Sequence, residues 1–238
     1  MRRTPAVLAS LVAAVVLAGC SGTDAQRAQE LLQQSSAALQ GVESFRFAGR
    51  LWLSGPNGEE LSLVLRGATT RKGAGASYVT VRADGVPDFP ETAVVLRGKR
   101  AWVGAGGRWT AMPAPGATPA VRQLDFTPYV ESVEVETGPL VAGEPTLKIV
   151  GVLDTAAFAQ GLLGRLGSLP GAEPALVPDV AGTLDDTRMV LYVSETTQLP
   201  VRGLVDVAME AAGERVELHL DFALKGFDAP VRIPSPAA

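Results

Sequence analysis

Cys20, in the stretch "VVLAGCSG" (15–22), is the one cysteine in a chain of 238 residues. A single thiol cannot form an intramolecular disulfide. The sequence also holds one histidine, so a zinc site built from cysteine and histidine ligands lacks its residues. The chemistry of Cys20 must therefore come from the residues around it.

The segment before Cys20 has the layout of an export signal. Arg2 and Arg3 supply a positive end, and the apolar run "AVLASLVAAVVLA" (6–18) follows without a charge. This run is shorter than the roughly 20 residues that a membrane-spanning helix needs. The four residues 17–20, "LAGC", resemble the bacterial lipoprotein box, in which the thiol is diacylated and the peptide is cut before the cysteine. We expect Cys20 to carry a lipid anchor on the outer face of the plasma membrane; the alternative is an ordinary signal peptide.

A search for catalytic and cofactor motifs is negative. The sequence has no Gly-x-Ser-x-Gly elbow, no His-Glu-x-x-His, no Cys-x-x-Cys and no Gly-Lys-Ser/Thr loop. His219 alternates with apolar residues in "VELHLDF" (216–222), which favours a solvated strand histidine over a general base. The glycines of "RKGAGAS" and "VGAGGRW" fit hairpin turns better than phosphate loops, and the acidic pairs at 59–60 and 185–186 fit solvated loops. We expect no enzyme, no cofactor and no metal.

Charge limits the partners. Cleavage before Cys20 removes two arginines and leaves 19 basic against 25 acidic residues, a net charge near −6. Nucleic acids and anionic membrane surfaces bind clustered lysine and arginine, so neither is expected as the main partner. We expect a signal peptide at 1–19, a lipidated tether at 20–27 and one domain at 28–238, present as a monomer.

The domain is predicted to begin with a helix. In "AQRAQELLQQSSAALQGV" (25–42) apolar residues recur at helical spacing, and Gly41 stands where a helix would end. Two further helical segments are predicted, at Thr118–Val133, where Thr127 and Pro128 could start a helix, and in "DTAAFAQGLLGRLGSL" (154–169). The stretch Pro170–Gly182 is predicted to be a loop, either a flap or a disordered segment.

From Phe45 the period changes to two. "FRFAGRLWL" (45–53) places Phe45, Phe47, Gly49, Leu51 and Leu53 on one side. The turn "SGPNGEE" and the run "LSLVLR" (61–66) complete a predicted hairpin. Further strand-like runs are "ASYVTVRA", "TAVVLR", "RAWVG", "RWTAM", "TLKIVGVL", "RMVLYV", "VRGLVDVAME" and "ERVELHLDFAL". Their short links predict mainly antiparallel pairing.

The order of these segments resembles a known family. The lipobox, the helix running into "ESFRF", the middle "VVLRGKRAWVGAGGRWTAMP", "MVLYVSETTQLPVRGLVDV" and the closing "LDFALKGFDAPVRIPSP" look like the LppX/LprG group of actinobacterial lipoproteins, relatives of the LolA and LolB carriers. The resemblance covers roughly residues 28–236. It departs at "SETTQLP", where an Asp and a Gly are expected before Leu-Pro.

The resemblance implies an α+β fold in which a strongly curved antiparallel β-sheet, a half-barrel, has helices covering its concave face. The enclosed apolar cavity would hold acyl chains. Its implied wall consists of Phe45, Phe47, Gly49, Leu51, Leu63, Val79, Val81, Leu147, Ile149, Val205, Val207, Leu218 and Leu220, with Phe158, Leu162 and Leu166 on the cover. For each of these residues ordinary core packing is an equal alternative, because a packed core and a cavity need the same inward apolar residues.

Two hypotheses follow. The first is a lipid-binding carrier or chaperone that moves a lipid or glycolipid, or a lipoprotein, between membrane and cell wall, in contact with an envelope transporter. Its binding energy would come from methylenes removed from water, at about 0.8 kcal/mol each. The second keeps the fold but uses it as a LolA-like sensor or docking module for another envelope protein, without lipid transport.

Overall fold

The computed structural model describes residues 24–55, 60–72, 75–86, 90–113, 125–158, 187–211 and 214–236. These residues form one helix of 18 residues, a 3-10 turn, a helical stretch at 155–158 and eleven strands. The helix is α1 (Asp24–Gly41) and the 3-10 turn is Thr127–Tyr129. The strands are β1 (Ser44–Ser54), β2 (Glu60–Thr70), β3 (Ala76–Asp84), β4 (Thr92–Arg97), β5 (Arg100–Ala105), β6 (Arg108–Pro113), β7 (Val130–Thr137), β8 (Thr146–Leu153), β9 (Thr187–Ser194), β10 (Pro200–Ala211) and β11 (Glu214–Lys225).

In the described residues the strands form one antiparallel sheet in the order β6-β5-β4-β3-β2-β1-β11-β10-β9-β8-β7. Neighbours in the sheet are neighbours in the chain except at β1, which pairs with β11. The sheet is not closed, because β6 and β7 lie at opposite ends of it. The prediction of a mainly antiparallel sheet is confirmed.

One predicted helix is wrong. Residues 130–133, at the end of the expected helix Thr118–Val133, belong to strand β7, and only Thr127–Tyr129 are helical, as a 3-10 turn. The carboxylate of Asp125 accepts a hydrogen bond from the Thr127 backbone N–H (3.1 Å), which fixes this turn. The chain then pairs with β8, so backbone hydrogen bonding to a neighbouring strand replaces continuation of the helix. Residues 118–124 of the prediction lie outside the described residues.

Helix α1 begins at Asp24, four residues before the expected start of the domain, and ends at Gly41 as predicted. Ala28, Leu32, Ser35 and Leu39 form its buried face, in agreement with the helical spacing of the sequence. The helix contacts β7, β10 and the 3-10 turn. The Ser36 hydroxyl also hydrogen-bonds the Asp125 carboxylate (2.9 Å), which ties the helix to the segment before β7.

The two faces of the sheet are distinguished by register, because directly paired residues of an antiparallel sheet point to the same side. We call the core face the one that carries Phe45, Phe47, Gly49, Leu51 and Leu53 together with every residue paired with them, and we call the opposite one the outer face. Phe47, for example, is paired with Gly67 on β2 and with Leu224 on β11. The buried side chains of α1 join the same apolar cluster as core-face residues of β7–β11 and β1, so α1 lies on the core face.

The C-terminal segment after β11 closes one end of this core. Phe227 packs its ring on Phe45, with 6.3 Å between the ring centroids. The Asp228 carboxylate accepts a hydrogen bond from the Glu43 backbone N–H (2.7 Å), and the Ser44 hydroxyl donates one to the Ala229 carbonyl (2.7 Å). The residues of this core and its packed neighbours run from Ala28 to Phe227, so a domain of residues 21–238 contains all of them.

Two glycines of the core face lie under aromatic rings of the paired strand. The Phe222 ring lies over Gly203, and the Phe47 ring lies over Gly67; in each pair a side chain on the glycine would overlap the ring. Phe222 is itself buried and stacks on Phe126, with 6.2 Å between centroids and 22° between planes. An aromatic ring that covers a strand glycine excludes water from its backbone, which offsets the low strand propensity of glycine.

We expect Gly203→Ala to lower the free energy of unfolding by about 1–3 kcal/mol, because the added methyl group overlaps the Phe222 ring and Phe126 keeps that ring from moving aside. The measurement is urea unfolding of the 21–238 domain. Gly41→Ala is the matched control, because nothing lies within 4 Å of a Cβ added there. It should leave stability unchanged or slightly raise it, since alanine has less conformational entropy than glycine in the unfolded chain. Equal stability of the Gly203 variant and wild type would contradict the packing described here.

Candidate functional site

The strand residues predicted to line a cavity all lie on the core face. Leu51 is paired with Leu63 on β2 and with Leu220 on β11, and Leu220 is paired with Val205 on β10. The same register reaches Ile149 at one end of the sheet. The core-face set is Phe45, Phe47, Gly49, Leu51, Leu63, Val79, Val81, Leu147, Ile149, Val205, Val207, Leu218 and Leu220. The structure therefore brings these thirteen residues to one surface; whether they contact a ligand stays a prediction.

Burial divides this set into two groups. Phe45, Ile149, Val205 and Val207 are buried in the cluster that includes Leu32 of α1. Their side chains are covered by protein, as the core-packing alternative expects. The other nine are half-buried, among them Leu51, Leu63, Val79 and Val81, which lie outside that cluster.

The half-buried Leu and Val residues of the core face on β1–β5 that lie outside the buried cluster are called the aliphatic surface. Strands β1–β5 are neighbours in the sheet, so these residues lie next to one another on one side of it. The surface consists of Leu51, Leu53, Leu61, Leu63, Leu65, Val79, Val81, Val94, Leu96 and Val103. The sequence assigned no site role to six of these ten: Leu53, Leu61, Leu65, Val94, Leu96 and Val103.

Charges are absent from the core face of β1–β5. The first charged core-face residue beyond these strands is Arg108, on the edge strand β6. The outer face of the same five strands carries Arg46, Arg50, Glu60, Arg66, Arg82, Asp84, Arg97 and Arg100. The uncharged part of the core face therefore extends beyond the residues that the protein itself buries. An uncharged surface of this kind is typical of a site that binds apolar ligands.

The predicted cover is described in part. Phe158 is buried, and its ring lies 6.3 Å from that of Phe126 and 5.7 Å from that of Tyr129. Phe126 also stacks on Phe222, so its ring connects Phe158 to the core face of β11. Leu162 and Leu166 lie outside the described residues, as do Cys20 and the predicted loop Pro170–Gly182.

Gly49 has a neighbour from the protein itself. A Cβ added there would lie 3.0 Å from the Asp221 carbonyl oxygen and 3.4 Å from the Phe222 Cβ. The sequence left open whether an acyl chain or a neighbouring group approaches Gly49, and the close group in this structure is strand β11. A bulky residue at 49 would therefore strain β11, which makes Gly49 a poor position for testing a cavity.

His219 lies on the outer face, in a row with Asp206, Trp52 and Ser62. Its Nδ1 contacts the Asp206 carboxylate, and its ring centroid lies 5.0 Å from that of Trp52. Ser62 is two strands from His219, roughly 10 Å at the usual strand spacing. Ser62 and His219 are therefore too far apart to form a base–nucleophile pair. The polar partner of the His219 ring is instead the Asp206 carboxylate.

Several charged groups of the outer face form ion pairs. The Arg202 guanidinium donates two hydrogen bonds to the Asp221 carboxylate, at 2.8 and 3.1 Å, and this hydrogen bonding raises the pKa of Arg202. Lys148 and Glu136 pair at 3.0 Å, and the hydrogen bond raises the pKa of Lys148. Within the described ranges no three His, Cys, Asp or Glu residues are grouped as a metal site would require. In the same part of the chain no helix combines the length and apolar character of a membrane span.

Comparison with solved structures identifies the fold. LprF from Mycobacterium bovis is 21% identical, with 89% of this chain and 98% of that chain covered and a TM-score of 0.55. Lipoprotein LppX from Mycobacterium tuberculosis is 14% identical over 87% and 98% of the two chains, with a TM-score of 0.49. A LolA superfamily protein from Nitrosomonas europaea is 13% identical over 84% and 94%, with a TM-score of 0.31. No protein-family model and no curated protein matches the sequence. The resemblance inferred from the sequence is confirmed at the level of the fold, which is that of LprF.

Proposed function

We propose that this chain, which has the LprF fold, is a lipid-anchored envelope protein that binds acyl chains on its aliphatic surface and carries or chaperones lipids. The observation that supports the proposal most directly is a contrast within one face: core-face residues on β7–β11 pack with α1 and Phe158, while the Leu and Val residues of the aliphatic surface on β1–β5 are half-buried. In this proposal the sheet curves into a half-barrel, and the segment that continues from Phe158 through Leu162 and Leu166 covers the bound chains.

The energetics of such a site require no covalent step. At about 0.8 kcal/mol per buried methylene, complete removal of a 16-carbon chain from water favours binding by on the order of 12 kcal/mol. Half of that value corresponds to a dissociation constant of tens of micromolar. An apolar surface without charges discriminates weakly among chains, so the polar headgroup of a lipid or glycolipid would decide which molecule is carried.

We propose the outer face of the plasma membrane as the location, with Cys20 as the attachment point. The export signal and the lipobox before Cys20 support this. Anchoring at one end leaves the sheet free to receive a lipid from the same membrane or from an envelope transporter. The domain acts as a monomer in this proposal.

We expect the purified 21–238 domain to carry lipid from its expression host, detectable as added mass in native mass spectrometry. After delipidation it should take up a fluorescent long-chain fatty acid with a dissociation constant on the order of tens of micromolar or lower, because the aliphatic surface is uncharged and incompletely covered. Unlabelled palmitate should displace the probe. A domain that is folded by circular dichroism yet shows neither added mass nor probe uptake would contradict lipid binding and favour the docking-module hypothesis.

A further inference from the structure

The β4–β5 hairpin carries cations that the rest of the structure does not neutralise. Arg97 and Arg100 end the two strands, Lys99 lies in the turn between them, and all three are exposed. Gly98 has a φ of 58°, which suits the first position of a tight two-residue turn and holds the cations close together. In the described part of the chain none of the three forms an ion pair.

Arg97 and Arg100 are also directly opposed across the hairpin. Like charges in this position destabilise a sheet. Two other outer-face arginines lie beside carboxylates, Arg50 with Asp84 at 3.3 Å and Arg202 with Asp221 at 2.8 Å. An external anion close to both side chains would relieve the repulsion between Arg97 and Arg100.

Aromatic side chains adjoin these cations on the same face. The next outer-face row contains Tyr78, Val95 and Trp102, in direct cross-strand register. This row lies two residues along each strand from the arginines, about 7 Å at the usual rise. Val95 is fully buried between half-buried Tyr78 and Trp102. Tryptophan and tyrosine next to arginine and lysine are the residue types that occupy the headgroup region of a bilayer.

We propose that the β4–β5 hairpin, with Arg97, Lys99 and Arg100 as its cations and Tyr78 and Trp102 beside them, docks on the anionic lipid headgroups of a bilayer. Anionic phospholipid provides a dense, two-dimensional array of phosphates that suits three cations on one short turn. The opposite side of the same strands carries Val94 and Val103 of the aliphatic surface. Docking through the turn therefore brings this end of the sheet, with the nearest residues of the aliphatic surface on its other side, close to the headgroups, where a lipid would leave or enter.

The test is co-sedimentation of the 21–238 domain with vesicles of phosphatidylcholine alone or with 30% phosphatidylglycerol. We expect binding to the phosphatidylglycerol vesicles, weak binding to phosphatidylcholine, and loss of binding in 0.5 M NaCl. The double variant Arg97→Gln/Arg100→Gln should bind about 30-fold more weakly, at roughly fivefold per cation near an anionic surface. Its melting temperature should equal or exceed that of wild type, because a like-charge pair is removed.

The matched control is Arg188→Gln/Arg215→Gln, which changes net charge equally on the other half of the sheet and should bind as wild type does. Equal binding by the hairpin variant and wild type, or equal loss in the control, would overturn the proposal. Binding of the wild-type domain to polyglutamate as tightly as to the vesicles would also overturn it, in favour of an acidic protein partner. This assay measures vesicle binding and the fatty-acid assay measures uptake in solution, so the docking proposal and the proposed function can fail separately.

Discussion

Replacing Cys20 by Ala is expected to move the full chain from the membrane pellet to the soluble fraction of its host. Two acyl chains of about 14 buried methylenes each anchor a protein by on the order of 20 kcal/mol, at about 0.8 kcal/mol per methylene. The measurement is fractionation with an immunoblot after a wash in 1 M NaCl, with Ser21→Ala as the control that keeps the thiol.

The salt wash separates the two membrane contacts. Docking through the β4–β5 hairpin is electrostatic and is screened at 1 M salt, where the Debye length is about 3 Å, whereas an acyl anchor is not screened. Without added salt, part of the Cys20→Ala protein should stay on the membrane through the hairpin. The wash in 1 M NaCl should release that remainder. Combining Cys20→Ala with Arg97→Gln/Arg100→Gln should release it without added salt. A Cys20→Ala protein that has lost its apolar run 6–18 by cleavage, as shown by its mass, and still remains in the washed pellet would contradict the lipobox interpretation.

Two central strands, β1 and β11, could be predicted together with their faces because they alternate over most of their length. The runs in β1 and β11 place apolar residues at every second position for nine or more residues, so strand and face follow from the period alone. All ten of the strand-like runs are strands in the structure. Strand β7 was missed because Thr127 and Pro128, just before it, are typical of a helix start, whereas the chain after them pairs with β8.

The site was harder to predict, for two physical reasons. In β4 the neighbours Val94 and Val95 are both apolar, yet Val94 lies on the core face and Val95 is buried under aromatic residues on the outer face. A six-residue strand with apolar residues on both sides has no readable period. Alternation also predicts the face on which a residue lies, but not whether other parts of the protein pack over it. Val205 and Leu63 both lie on the core face, and only Val205 is buried.

Leu63 offers the sharpest test of the aliphatic surface, because the next residue along the strand is a matched control. Leu63 lies on the core face opposite Leu51, half-buried and outside the buried cluster. Val64 is also half-buried but lies on the outer face, paired with Arg50 and Arg82. A carboxylate at 63 would meet uncharged neighbours on every side of its strand, whereas a carboxylate at 64 would lie between two guanidinium groups.

We expect Leu63→Asp to weaken fatty-acid binding by the 21–238 domain at least 100-fold. Covering an aspartate with an acyl chain removes a charge from water without a partner, which costs several kcal/mol, and about 2.7 kcal/mol already accounts for a factor of 100. Val64→Asp should bind the probe as wild type does. Both variants should keep a cooperative thermal transition, because neither residue belongs to the buried cluster. Unchanged binding by Leu63→Asp would place the acyl chain elsewhere, and equal loss in both variants would mean that added charge, rather than its face, opposes binding.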